Sequence, residues 1–214
     1  MDKHSHSAEN WDILWSEAFS RHIILYNLWY HYLWRAYGRL LRHIKLNAES
    51  RVLELGCGSG RISLYMAQKY GCRITLVDSS AAAIRQSASL FGSHNIQAEH
   101  VHSDLFAFDC KEEFDLVHSE GLIEHFQEVR RQEALFVHKD AARQLGYVIT
   151  FIPYGSLIYR FTSWLMKLTN NWYFGYEVPL ELSEHITLHK ETGLTVIAHT
   201  SVLSRELGLL SQRS

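Results

Sequence analysis

Between residues 51 and 152 short apolar runs alternate with longer segments whose apolar positions recur every three or four residues. Residues 51–55, 73–77, 96–102, 114–118 and 147–152 read as five strands. Residues 60–70, 80–91 and 128–144 read as the helices between them. Such alternation predicts an α/β fold, with a doubly wound, mostly parallel sheet covered by helices on both faces. Further on, Leu157, Ile158, Phe161, Trp164, Leu165 and Leu168 form one helical stripe, which Asn170-Asn171 breaks. A last helix over 181–192 stops at Gly193, and 194–202 reads as a sixth strand. Twelve residues follow, so a seventh strand is expected to be short or missing.

Ahead of the sheet, residues 11–44 carry apolar positions at helical spacing, including Ile24, Leu28, Leu33 and Tyr37. Four of the six tryptophans fall here: Trp11, Trp15, Trp29 and Trp34. The block reads as a helical cap packed on the core, a lid that touches ligand, or both. The division expected is a cap or lid over 1–45 and a core over 46–214. An aromatic insertion over 153–179 contains Tyr154, Tyr159, Phe161, Trp164, Trp172, Tyr173, Phe174 and Tyr176.

Composition adds limits. The 214 residues are 47% apolar and 21% charged, ordinary for a globular chain with one sizeable core. A net charge of −2 gives no electrostatic reason to expect nucleic acid. Fourteen histidines predict that positive charge builds up as pH falls below about 6.5. Three cysteines, none at zinc-ligand spacing, predict a reducing compartment, the cytoplasm, and no bound metal. The polar, acid-bearing start does not read as a signal peptide, and no stretch reads as a membrane span.

The chemistry centres on VLELGCGSG, residues 52–60. Glycines at 56, 58 and 60 leave a strand and open a helix, so a ligand can approach the backbone and meet free N–H groups. The GxGxG spacing differs from that of dinucleotide and triphosphate loops. Glu54, an acid inside an apolar strand, requires a partner that a cationic or hydroxyl-bearing ligand would supply. Asp78 ends the second strand, where an acid suits either two ribose hydroxyls or a helix N-cap. Asp104 follows the third strand beside apolar Leu105, and reads as an adenine contact or a surface turn.

The order ELGCGSG, VD, SDL, FDLVHSEGLIEHF resembles the class I (Rossmann-like) S-adenosylmethionine (SAM)-dependent methyltransferases. The resemblance implies that Glu54, Gly56, Cys57, Gly58 and Gly60 back the methionine part of SAM. It implies that Asp78 and Ser79 hold the ribose, that Asp104 and Leu105 read the adenine, and that Ser119 lies along the cofactor. The implied function is methyl transfer, leaving S-adenosylhomocysteine, and the aromatic blocks fit as acceptor a small apolar, aromatic or lipid-like molecule, or a cationic amine through ring faces, methylated at oxygen or nitrogen. A peptide or protein acceptor, or a silent SAM-binding protein, is the alternative. If the acceptor must shed a proton, His125 and Glu120 are the candidate bases, with His118 disfavoured inside its strand. The NPPY-like tetrapeptide of adenine and glutamine N-methyltransferases is absent, and the oligomeric state has no signature.

Overall fold

The computed structural model describes Trp11, Asp12, Trp15 and residues 23–169 and 176–214; of residues 23–26 only the backbone is described. Seven strands form one sheet: β1 (Arg51–Leu55), β2 (Arg73–Asp78), β3 (Glu99–His102), β4 (Phe114–Glu120), β5 (Ala142–Pro153), β6 (Leu194–Val202) and β7 (Glu206–Arg213). Their order is β3-β2-β1-β4-β5-β7-β6. The first five run parallel, and β7 lies antiparallel between β5 and β6.

Apolar side chains of successive strand residues point to opposite faces, so each face gains its own core. Val52, Ile74, Leu76, Leu116 and Ile149 pack on one side against α1 (Ile23–Leu41) and α2 (Arg61–Tyr70). Phe91 of α3 (Ala81–Ser93) joins them. Leu53, Leu55, Val117 and Val148 pack on the other side against α4 (Glu128–Ala141). Helices α5 (Leu157–Leu168) and α6 (Leu182–Glu191) separate β5 from β6.

The seventh strand corrects the sequence reading. It is eight residues long, and most of it is buried. The hairpin needs few residues because Leu203 and Ser204 take φ of 47° and 55°, and the Arg205 N–H donates to the Val202 carbonyl at 2.8 Å. Such a turn matches the twist of its strands but usually advertises itself with Gly or Asn. The fourth helix also ends early. Ala142 already pairs with Phe114, and a register shift follows before Leu116 meets Tyr147.

The stripe on α5 faces outward. Leu157, Ile158, Phe161, Trp164, Leu165 and Leu168 are exposed, while Tyr159 and Ser163 turn inward. Among the described residues no helix is long and apolar enough to cross a membrane. Trp172, Tyr173 and Phe174 lie outside the described residues.

Several histidines are core residues. His118, His138, His185 and His189 have no exposure. The Thr150 hydroxyl lies 2.8 Å from His185 Nε2 and 2.9 Å from His189 Nε2, and His189 Nδ1 meets the Ser211 hydroxyl at 2.8 Å. Burial lowers the pKa of His118 to about 3, of His138 to about 4 and of His189 to about 3. These rings stay neutral across the physiological range, so the charge build-up expected from fourteen histidines is smaller in the folded chain.

Candidate active site

The three glycines after β1 all take left-handed backbone angles, with φ of 63° at Gly56, 50° at Gly58 and 68° at Gly60. Side chains avoid that region. Space is short as well: a Cβ on Gly58 would overlap the Trp15 indole. Asp78 fastens this loop. Its Oδ2 accepts from the Gly58 N–H and its Oδ1 from the Ser80 N–H, both at 2.8 Å. Ser80, not Asp78, caps α3, accepting from the Ala83 N–H at 3.1 Å. Each Asp78 oxygen keeps a second lone pair, so loop staple and ribose contact are compatible.

Trp11, Asp12 and Trp15 lie close to this site. Asp12 Oδ1 accepts from the Ser80 hydroxyl at 2.6 Å and the Ala82 N–H at 2.9 Å, which lowers the Asp12 pKa. Trp11 meets the His125 ring edge to face, with centroids 4.9 Å apart.

Glu54, next to last in β1, has 3% of its surface exposed. Its Oε2 has no hydrogen-bond partner, and His118 Nε2 is 4.0 Å away. Burial, only partly offset by Ser63, raises the Glu54 pKa to about 8. His118 is occupied: Nε2 meets the Ser63 hydroxyl at 2.9 Å and Nδ1 the Tyr37 hydroxyl at 3.2 Å. It is a core histidine, as its place inside a strand suggested.

Beyond the loop lies a cavity of about 500 Å³. Glu54, Gly56, Cys57 and Gly58 line one end, Glu120, Gly121, Glu124 and His125 a second wall. Aromatic side chains cover it, among them Trp11, Trp15, Trp29, Tyr30, Tyr32 and Tyr159. Three chain segments converge on it through backbone hydrogen bonds. His125 Nδ1–H donates to the Tyr176 carbonyl at 2.7 Å, and the Val178 N–H to the Glu124 carbonyl at 3.2 Å. The Tyr154 N–H donates to the Arg205 carbonyl at 2.8 Å, which draws the β6–β7 turn to the rim.

Both candidate bases lie on this cavity. Glu120 Oε1 accepts from the Trp29 indole N–H at 3.4 Å, and burial raises its pKa. Other expected contacts stand apart from the cavity lining. Ser119 points away, its hydroxyl 2.9 Å from His138 Nε2 behind the sheet. Asp104 is exposed and accepts from the Phe106 N–H at 2.8 Å, while Leu105 is buried. Ser79 is half-buried at the end of β2, where its carbonyl meets His102 Nε2 at 3.0 Å. Glu177, Arg205 and Glu206 line the cavity without any signal in the sequence to single them out.

Residues 52–145 match the family of the methyltransferase domain. Over those residues, less than half of its length, the chain carries a methyltransferase domain, and its fold is the Rossmann-like one. Its sheet order and glycine loop fit that domain, and the match ends before β6, β7 and the cavity rim. Pavine N-methyltransferase of Thalictrum flavum subsp. glaucum is 24% identical over 166 residues, covering 74% of this chain and 45% of that protein. Ribosomal RNA small subunit methyltransferase C of Buchnera aphidicola subsp. Baizongia pistaciae is 36% identical over 67 residues, 31% of this chain and 21% of that protein. The chain thus spans less than half the length of either relative. Among solved structures, Burkholderia thailandensis 1,6-didemethyltoxoflavin-N1-methyltransferase, with 1,6-didemethyltoxoflavin and S-adenosylhomocysteine bound, superposes with a TM-score of 0.71. It shares 16% identity, over 100% of this chain and 93% of that one.

Proposed function

We propose that the chain transfers a methyl group from SAM to an oxygen or nitrogen of a small apolar or aromatic molecule. The observation that carries this reading is the continuous cavity running from the glycine loop to Glu120 and His125 under an aromatic cover. The residues fit the cofactor. The glycine loop permits close approach to its backbone, an approach the Trp15 indole makes at Gly58, and Glu54 Oε2 is a buried carboxyl oxygen without a hydrogen-bond partner, placed to meet a group such as an ammonium. When bound, SAM supplies a methyl group on a positive sulfonium.

The chain's own work is alignment and exclusion of water, worth several orders of magnitude in rate. Gly56, Cys57, Gly58, Gly60 and Glu54 receive the methionine part. Asp78 and Ser79 hold the ribose, Asp104 and Leu105 the adenine, and Ser119 contributes backbone only. Glu120 or His125 takes a proton from the acceptor where one must leave; the Nδ1–H···O=C bond to Tyr176 leaves Nε2 as the basic atom of His125. In this reading residues 1–45 serve as the lid, with Trp15 touching the glycine loop and Asp12 the start of α3. A cavity of about 500 Å³ under aromatic side chains favours a small molecule over the RNA acceptor named for one relative.

Calorimetric titration with S-adenosylhomocysteine tests the cofactor. Saturable binding is expected, and none at millimolar ligand overturns the reading. Methyl-label transfer into fractionated metabolites, lipids and proteins tests the acceptor, and label confined to protein overturns the small-molecule choice.

A further inference from the structure

Glu54 is not alone. Glu120, Glu124, Glu177 and Glu206 line the same cavity, and among the described lining residues Arg205 is the one permanent cation. Two of the four have partial partners: Trp29 at Glu120, and at Glu177 the Tyr159 hydroxyl, which donates at 2.8 Å. The other two do not balance. Glu124 is 1% exposed, its Oε1 lies 4.0 Å from His125 Nε2, and its Oε2 has no hydrogen-bond partner. Glu206 Oε2 is shielded from water and has none either. A buried carboxylate oxygen without a donor is costly, and with Glu54 three such groups around one space compound the cost. A ligand carrying both positive charge and N–H donors offsets it. The rings of Trp29, Tyr30 and Tyr159 line the same volume, and rings of this kind attract cations: Arg205 lies over the Trp29 ring at 5.8 Å and Arg61 over the Tyr30 ring at 5.4 Å. Among the described residues no group of side chains is arranged to hold a metal ion, and the aromatic lining suits an organic cation.

We propose that Glu124, Glu177 and Glu206, flanked by Trp29, Tyr30 and Tyr159, form a subsite for the ammonium group of an amine, which makes the acceptor an apolar or aromatic amine. The proposal rests on the methyltransferase reading above and names the acceptor class of that same cavity. It also assigns work to the β6–β7 hairpin, whose turn brings Arg205 and Glu206 to the rim. Burial and the neighbouring carboxylates raise the Glu124 and Glu206 pKa values well above the ordinary range, and Arg131 partly counters this at Glu124, as Arg205 does at Glu206. A bound cation therefore releases protons from the cluster, to which Glu54, Glu120, Glu177, Tyr159, His125, Arg131, Lys167 and Arg205 all present ionisable groups.

The test uses the full chain saturated with S-adenosylhomocysteine. It is titrated by calorimetry with tetrahydroisoquinoline, a cation at pH 7.5, and with isochroman, its neutral oxygen isostere. The amine is expected to bind at least about tenfold tighter, with proton release revealed by buffers of different ionisation enthalpy. Glu177→Gln and Glu206→Gln should each cut that preference at least about threefold and leave S-adenosylhomocysteine affinity unchanged, which also reports that the variants are folded. Equal affinity for the two probes, or both variants keeping the preference, overturns the proposal while the methyltransferase reading stands. Competitive displacement of the amine by magnesium chloride makes the cluster a metal site and overturns it too. No binding of S-adenosylhomocysteine by the wild type sinks both readings.

Discussion

Asp78 and Gly58, twenty residues apart, are joined by a 2.8 Å hydrogen bond from the glycine N–H to the carboxylate. The other carboxylate oxygen takes the Ser80 N–H, so one side chain sets both the loop after β1 and the entry to α3. Asp78→Ala leaves both amides without that acceptor. Hydrogen bonds to a charged group contribute roughly 1.5–3 kcal/mol each, so urea unfolding should show a loss of about 3 kcal/mol. Asp78→Asn keeps one acceptor oxygen and should lose about half as much. An alanine variant within about 0.5 kcal/mol of wild type would show that the staple contributes nothing.

Gly58 faces the Trp15 ring at a left-handed backbone angle. Gly58→Val adds steric strain of roughly 1–2 kcal/mol at that angle and drives the branched side chain into the lid contact. The expected result is a folded protein that no longer binds S-adenosylhomocysteine in a calorimeter. Trp15→Ala relieves the clash but not the strain, so the double variant should remain impaired. Wild-type affinity in Gly58→Val would remove the loop from the binding site.

Much of this architecture is legible in the chain, because buried parallel strands need continuous apolar runs and a tight strand–helix turn needs glycine. The Glu54–Gly60 segment and Asp78 therefore announced themselves. The β6–β7 hairpin did not, since Leu203 and Ser204 adopt positive φ without the usual Gly or Asn signal. Glu177 and Glu206 were equally silent. Each is an ordinary acid in sequence, and only the backbone pairing of Val178 with Glu124 and of Tyr154 with Arg205 brings their segments together. The α5 stripe was legible as a stripe, but its direction was not, because amphipathicity says nothing about which side of a helix meets the core.

Thr150 is the hinge of the buried histidine pair. Thr150→Val keeps the shape and removes the hydroxyl from His185 and His189, and His185 Nδ1 already lacks a partner. A cost of about 2–3 kcal/mol is expected from the stranded ring nitrogens. Because the pair lies between β5 and α6, away from the glycine loop, S-adenosylhomocysteine affinity should not change. Chemical denaturation and titration of the same sample separate the two effects, and an unchanged stability would show that the network is dispensable.

Two sets of buried groups push stability in opposite directions with pH. His118, His138 and His189 titrate near 3, 4 and 3 in the fold against an ordinary 6.5. Below 6.5 the unfolded chain binds more protons, so each ring costs about 1.4 kcal/mol per pH unit as acidity rises, until its folded pKa is reached. Glu54 titrates near 8 in the fold against an ordinary 4.5, and the Glu120 pKa is raised as well. Between those values the folded state binds more protons, so the carboxylate contribution is complete below 4.5 and is lost as pH rises toward 8. Above pH 6.5 the histidines no longer act and the carboxylates dominate. The ligand-free protein should therefore melt at progressively lower temperature from pH 6.5 to 8.5, and Glu54→Gln should flatten part of that decline. Thermal melts across that range decide the matter: a midpoint that rises, or a Glu54→Gln slope identical to wild type, would mean that the Glu54 carboxyl gives up its proton in the fold as easily as in the unfolded chain.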